Sequence, residues 1–162
     1  MRSSRVLVLA VSASLSALGA CNPFHREPVT EVSRDANVNS RWRAALVTPA
    51  SLVGAVQMNG AATMQPGRTN ENTNFSLSIA NATPGGVHPW QVHRGQCGAD
   101  DGVLGSAGAY KSIKVGDDGR GTATATVPMT TPTSGSYFVT VQASVANPEM
   151  IVACGNLAAP TR

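Results

Sequence analysis

The chain has 162 residues, room for one domain beside a targeting segment, with 13% charged and 4% aromatic residues. A profile so rich in Gly, Ala, Ser, Thr and Val suits short β-strands and turns better than helices. Twelve Lys and Arg against nine Asp and Glu give a formal charge of +3, but Arg2 and Arg5 fall in the leader; the remaining ten against nine leave +1, with no basic stripe for a nucleic acid.

Residues 1–20 read as a signal peptide. MRSSR supplies a positive start, and Val6 to Ala20 (VLVLAVSASLSALGA) forms an apolar run shorter than the ~20 residues that span a bilayer. It ends in Leu18-Gly19-Ala20-Cys21, which resembles the lipobox of bacterial lipoproteins. The resemblance implies cleavage before Cys21, a diacylglyceryl group on its thiol and an acylated amine. Ordinary secretion after Ala20 and an uncleaved anchor are the alternatives; leader charge, run length and cysteine position together favour the lipid. The expected location is the bacterial cell envelope, and Asn22 after the cysteine resembles the sorting signal for an outer membrane facing the periplasm.

Residues 21–45 read as the lipidated cysteine and a flexible tether. Residues 22–44 (NPFHREPVTEVSRDANVNSRWRA) show neither strand nor helix periodicity and mix two prolines with both charge signs. Such a segment reaches roughly 25–30 Å from its anchor. His25 sits in it with no expected role.

From Leu46 onward, over residues 46–162, the pattern alternates. Phe75, Leu77 and Ile79 alternate with Ser76 and Ser78; Ala123, Ala125 and Val127 alternate with threonines in GTATATV. In SYFVTVQAS, Tyr137, Val139, Val141 and Ala143 share one face, and Phe138, Thr140, Gln142 and Ser144 the other. Turn signals separate these runs: Gln65-Pro66-Gly67, Thr83-Pro84-Gly85-Gly86, Gly116-Asp117-Asp118-Gly119, and residues 132–135. Short alternating strands with no segment of helix length predict an all-β sandwich or barrel. Asp117 and Asp118, flanked by glycines, read as turn residues rather than ligands or acids.

Three cysteines are odd for an exported chain until Cys21 is given to the lipid. Cys97 and Cys154 then remain as a pair in an oxidising compartment, and a disulfide is the preferred reading. A reactive thiol or a metal-binding pair is the alternative, lacking both CxxC spacing and a cationic neighbour other than Arg94.

PGGVHPWQVHRGQC, then VTVQAS, then IVACGNL resemble the copper/zinc superoxide dismutase family, above all its divergent bacterial lipoprotein members. The resemblance covers residues 52 to 157 and implies an immunoglobulin-like Greek-key β-sandwich of the superoxide dismutase type. It also implies an intrasubunit disulfide, here Cys97 to Cys154. In that family imidazoles hold copper, two of them from an H-x-H strand, whose spacing puts both side chains on one face. At the corresponding positions this chain has Gln91, His93 and, for the late-strand histidine, Gln142. His88 precedes the pair and by alternation faces away from Gln91 and His93. Residues 46–162 hold only two histidines, and ADDGVLGSAGAYKSIKVGDDG, where bridging and zinc ligands belong, has none. Ile151 stands where the family steers superoxide with an arginine; Arg94, Lys111, Lys114 and Arg120 are the cations left to make a field. Zinc of the usual composition is excluded, since both thiols are committed.

HPWQVHRGQCG, residues 88–98, therefore reads as the remnant of a copper strand. Trp90 and Val92 are expected in the core, with Gln91, His93 and Gln142 converging as a hydrogen-bonded polar cluster. The chain is expected to be a membrane-anchored envelope lipoprotein whose dismutase-like domain has lost most metal ligands and serves as a non-catalytic binding or structural module. No cofactor is expected. The alternative is a copper-binding protein or residual superoxide dismutase of the periplasm, with His93, and more weakly His88, as ligands. Hydrolysis by a Ser-His-Asp set finds no nucleophile-elbow motif to support it. Expected partners are the membrane, through the anchor, and an envelope component the sequence does not identify.

Overall fold

The computed structural model describes residues 40–161. The predicted leader, the predicted lipid site Cys21, His25 and the predicted tether up to residue 39 lie outside the described residues.

Among the described residues, ten strands run in chain order: β1 (Trp42–Val47), β2 (Asn59–Pro66), β3 (Thr73–Ala80), β4 (Val87–His88), β5 (Trp90–Gln96), β6 (Ala99–Val103), β7 (Ile113–Lys114), β8 (Gly121–Val127), β9 (Tyr137–Ser144) and β10 (Asn147–Leu157). Among the described residues, helix is limited to two short 3-10 turns, Ala50–Leu52 and Ala107–Ala109. Eight strands form one antiparallel sheet in the order β6-β5-β9-β10-β1-β2-β3-β8, and β4 and β7 form a separate ribbon.

The alternation in the sequence becomes the two faces of this sheet. On β3, Phe75, Leu77 and Ile79 are buried while Ser76 and Ser78 face solvent. On β8 the threonines face out, and Ala125 and Val127 are buried. Trp42 and Leu46 from β1, Phe75 from β3, Trp90 and Val92 from β5, and Val139 and Val141 from β9 belong to one apolar cluster. Strands from both ends of the strand order can share one core only because the sheet curls over on itself. The all-β expectation holds, and Trp90 and Val92 lie in the core at 1% exposure each.

Strand β1 starts within the segment read from sequence as tether. Trp42 is 1% exposed, meets the Tyr137 ring edge-on at 5.4 Å, and donates its indole N–H to the Pro132 carbonyl at 3.0 Å. The domain therefore begins by Trp42, four residues before Leu46. Arg43, and the apolar Ala45 and Val47 on the other outward positions of β1, mask its alternation in the sequence.

The turns follow their chemistry. Gly86 N–H donates to the Thr83 carbonyl at 3.0 Å, closing a turn whose Gly85 takes φ +73°, a conformation that a Cβ makes costly. Gly119 N–H reaches the Gly116 carbonyl at 3.1 Å and Asp118 accepts from Arg120 N–H at 3.0 Å, so the Asp117-Asp118 pair makes a turn. Cys97 and Cys154 form a disulfide, their Cα atoms 6.1 Å apart, closing a ring across 57 positions.

From Phe138 to Val141, strand β9 has no free face. Val139 and Val141 enter the core, while Phe138 and Thr140 are buried on the other side, beneath the hollow described next.

Candidate functional site

Strands β5, β9, β10 and β1 present their outer faces to one cleft of about 1320 Å³. The loop after β1, with Pro49 and Val53, and the first residues of β10, with Glu149, form its walls. Gln91, His93 and Gln142 all line this cleft, so the spacing of two on β5 and the late-strand position on β9 do bring them together. Trp90 and Val92 turn to the opposite face.

His93 is 6% exposed, and its ring lies 5.0 Å from that of Phe138, nearly parallel at 24°. Its Nδ1 is 3.0 Å from Asp100 Oδ1 and its Nε2 is 3.2 Å from Thr140 Oγ1. A carboxylate only accepts, so Nδ1 donates; in the neutral ring Nε2 is then the acceptor and Thr140 O–H the donor. The imidazole thus has both nitrogens engaged, with neither glutamine among its partners.

A local irregularity places Asp100. Gly95 takes φ +100°, and the register of β5 against β6 shifts between His93 and Gly95. A Cβ at Gly95 would collide with the Ala99 carbonyl, so the hairpin needs glycine there to fold back and bring Asp100 onto the His93 ring. The Gly102 N–H donates to Asp100 Oδ1 at 2.7 Å, and this bond, with the neighbouring His93, holds the carboxyl below its ordinary range. Cys97, bridged to Cys154, fastens the hairpin to β10, and Asn156 accepts the Cys97 N–H at 2.8 Å.

Gln91 and Gln142 are half-buried, and among the described residues neither carboxamide has a hydrogen-bond partner. Gln91 stands directly across from Thr140 in the β5–β9 register. No Lys or Arg lines the cleft among the described residues; its charged groups are Asp100 and Glu149. Arg94, Lys111, Lys114 and Arg120 all lie outside its lining.

His88 is absent from the cleft lining. It is 9% exposed, its Nδ1–H donates to the Gln142 carbonyl at 3.0 Å, and its Nε2 is buried without a partner among the described residues. A Cβ on Gly86 would stand 2.8 Å from that nitrogen, so the ring packs against bare glycine backbone.

His93 is the one imidazole in the cleft lining among the described residues. Among the described residues no three His, Cys, Asp or Glu side chains are grouped for a metal ion. His93 could offer a lone pair only by releasing Thr140, the glutamines are neutral oxygen donors, and the cysteines are oxidised.

Asp100 and Thr140 were not singled out from the sequence. Asp100 lies one short glycine-containing hairpin beyond His93, a signal available in HRGQCGAD. Thr140 shares the alternation face of Gln142, two residues away, but threonines are so frequent in these strands that nothing marks it.

No protein-family model matches the chain, and no curated protein sequence matches it.

Proposed function

We propose that this chain is a lipid-anchored lipoprotein of the bacterial envelope whose domain descends from the superoxide dismutase type, a Greek-key sandwich, and acts as a binding module rather than a dismutase. The motifs PGGVHPWQVHRGQC and IVACGNL support the descent, and the leader ending in Ala20-Cys21 supports the anchor. One observation carries the loss of redox chemistry: both nitrogens of His93 bond within the protein, to Asp100 and Thr140. The two other positions that correspond to copper ligands carry uncharged glutamines that open into a cleft of about 1320 Å³. A hollow with apolar walls and a few convergent polar groups suits an organic ligand.

Metal analysis of the purified mature protein, with copper(II) titration and a dismutase assay, tests this. The expected result is no stoichiometric copper after dialysis and no activity above that of free copper. Tight, stoichiometric copper would overturn it.

A further inference from the structure

We propose that Thr140 is the nucleophile of an acyl-transfer site, accepting the acyl group of an uncharged ester bound in the cleft. The inference goes beyond the binding role above and depends on neither the anchor nor the family resemblance.

It starts from the line of groups Asp100, His93, Thr140, joined by contacts of 3.0 and 3.2 Å. Only one assignment of protons fits a neutral ring here: Nδ1–H to the carboxylate, Thr140 O–H to Nε2. That is the order in which a hydroxyl is activated, with the imidazole as base and the carboxylate fixing its tautomer and orientation. The Gly102 N–H keeps Asp100 ionised and in place. The three groups come from β6, β5 and β9, neighbouring strands of one sheet, and the disulfide pins the β5–β6 hairpin that carries Asp100. Sites carried on strands hold their geometry better than sites carried on loops.

The surroundings supply the remaining requirements. Gln91 lies across from Thr140, and Gln142 lies two residues along the same face of β9; both carboxamides are uncommitted. Side-chain amides of this kind donate to the oxyanion of a tetrahedral intermediate. Val47, Val53, Phe138 and Ile151 give the cleft apolar walls for an acyl chain. With Asp100 and Glu149 as its charged groups and no cation in the described lining, the cleft repels carboxylates and phosphates, which selects uncharged esters.

The step balances without a further reactant except water. Thr140 Oγ1 bonds to the ester carbonyl carbon while its proton passes to His93 Nε2. The intermediate collapses, the carbon–alkoxy bond breaks, and the departing alcohol takes the proton from Nε2. Water then adds to the acyl-threonine, again giving its proton to Nε2. The carboxylic acid leaves as that proton returns to Thr140, so the net change is ester plus water to acid plus alcohol. Thr140 is 4% exposed and carries a methyl beside the hydroxyl, so both steps are slow and the acyl-threonine persists.

The test treats the purified protein with para-nitrophenyl butyrate and, separately, with a fluorophosphonate, followed by intact mass and peptide mapping. The expected result is one adduct on the peptide carrying Thr140, absent in Thr140→Val and formed faster in Thr140→Ser. His93→Gln should lower the acylation rate by about 10²–10⁴-fold. Asp100→Asn should lower the rate while leaving the half-saturating ester concentration unchanged, and Asp100→Glu should recover part of it, as befits a positioning residue. The anionic half-ester of succinate should react far more slowly than the butyrate. Circular dichroism of each variant separates a lost nucleophile from a lost fold, and the exposed Asp100 gives a substitution that leaves the core intact. An absent adduct on Thr140, or one formed equally fast in Asp100→Asn, overturns the proposal.

Discussion

Cys154 on β10 is the direct cross-strand partner of Thr140 on β9, and its disulfide runs to Cys97, three residues before the Asp100 that completes the His93 contact. The bridge therefore ties the hairpin bearing the acid to the strands bearing the hydroxyl. Closing a ring of this length stabilises by about 4 kcal/mol on the loop-entropy account. The double variant Cys97→Ala, Cys154→Ala should lose up to about that much in denaturant unfolding. Its amides in β6 should also exchange hydrogen faster than those of β3. An unchanged midpoint would contradict this, as would free alkylation of both thiols in the native protein.

Trp42 gives a second check. Its indole is buried, hydrogen-bonded to Pro132 and edge-on to Tyr137. Trp42→Ala should cost about 3–5 kcal/mol, the usual range for removing a large buried aromatic. A chain beginning at Leu46 should lose cooperative thermal unfolding for the same reason, measured by calorimetry. Retention of a sharp transition would show that β1 begins later than Trp42.

That strand also shows what the sequence can and cannot reveal. Core alternation in β3, β8 and β9 was plain, because apolar and small polar residues take turns without interruption. In RWRAALV the buried partner of Trp42 is Ala44, and arginines flank the tryptophan, so the run resembles its charged surroundings. Strand β6 was invisible for a similar reason: ADDGV is exposed almost throughout and is held by pairing to β5, which no single-strand pattern encodes. Gln91, His93 and Gln142 could be placed on one cleft because alternation fixes faces. The partners of His93 could not, because they depend on a hairpin irregularity at Gly95 and on a strand register that local periodicity leaves free.

Asp100 should leave a mark on acid stability. Its carboxyl lies below its ordinary 3.8, held chiefly by the Gly102 N–H and also by His93. The unfolded chain then protonates before the folded one. The stabilising contribution is complete above 3.8 and fades as pH falls through the lower folded value. Its side chain is 54% exposed, so solvent limits the contribution to under about 1 kcal/mol. Unfolding curves of the wild type and Asp100→Asn should separate at neutral pH and converge well below 3.8. A constant gap at every pH would assign the difference to something other than the charge.

Gln91→His with Gln142→His would give one cleft three imidazoles, since all three positions line it. Copper(II) affinity should rise by orders of magnitude over wild type, with a tetragonal electron paramagnetic resonance spectrum. Dismutase activity should stay low, because no Lys or Arg among the described residues lines the cleft to draw in an anion. Unchanged affinity would show that the three side chains do not converge on one ion.

From Phe138 to Val141 β9 is buried on both sides and leaves no position to solvent, whereas β3 and β8 leave alternate residues to it. Replacements over Phe138–Val141 must conserve volume, while Gln142, half-buried at the cleft, is free of that constraint. A lineage built on this sheet can therefore exchange the chemistry of its hollow without surrendering the hollow itself.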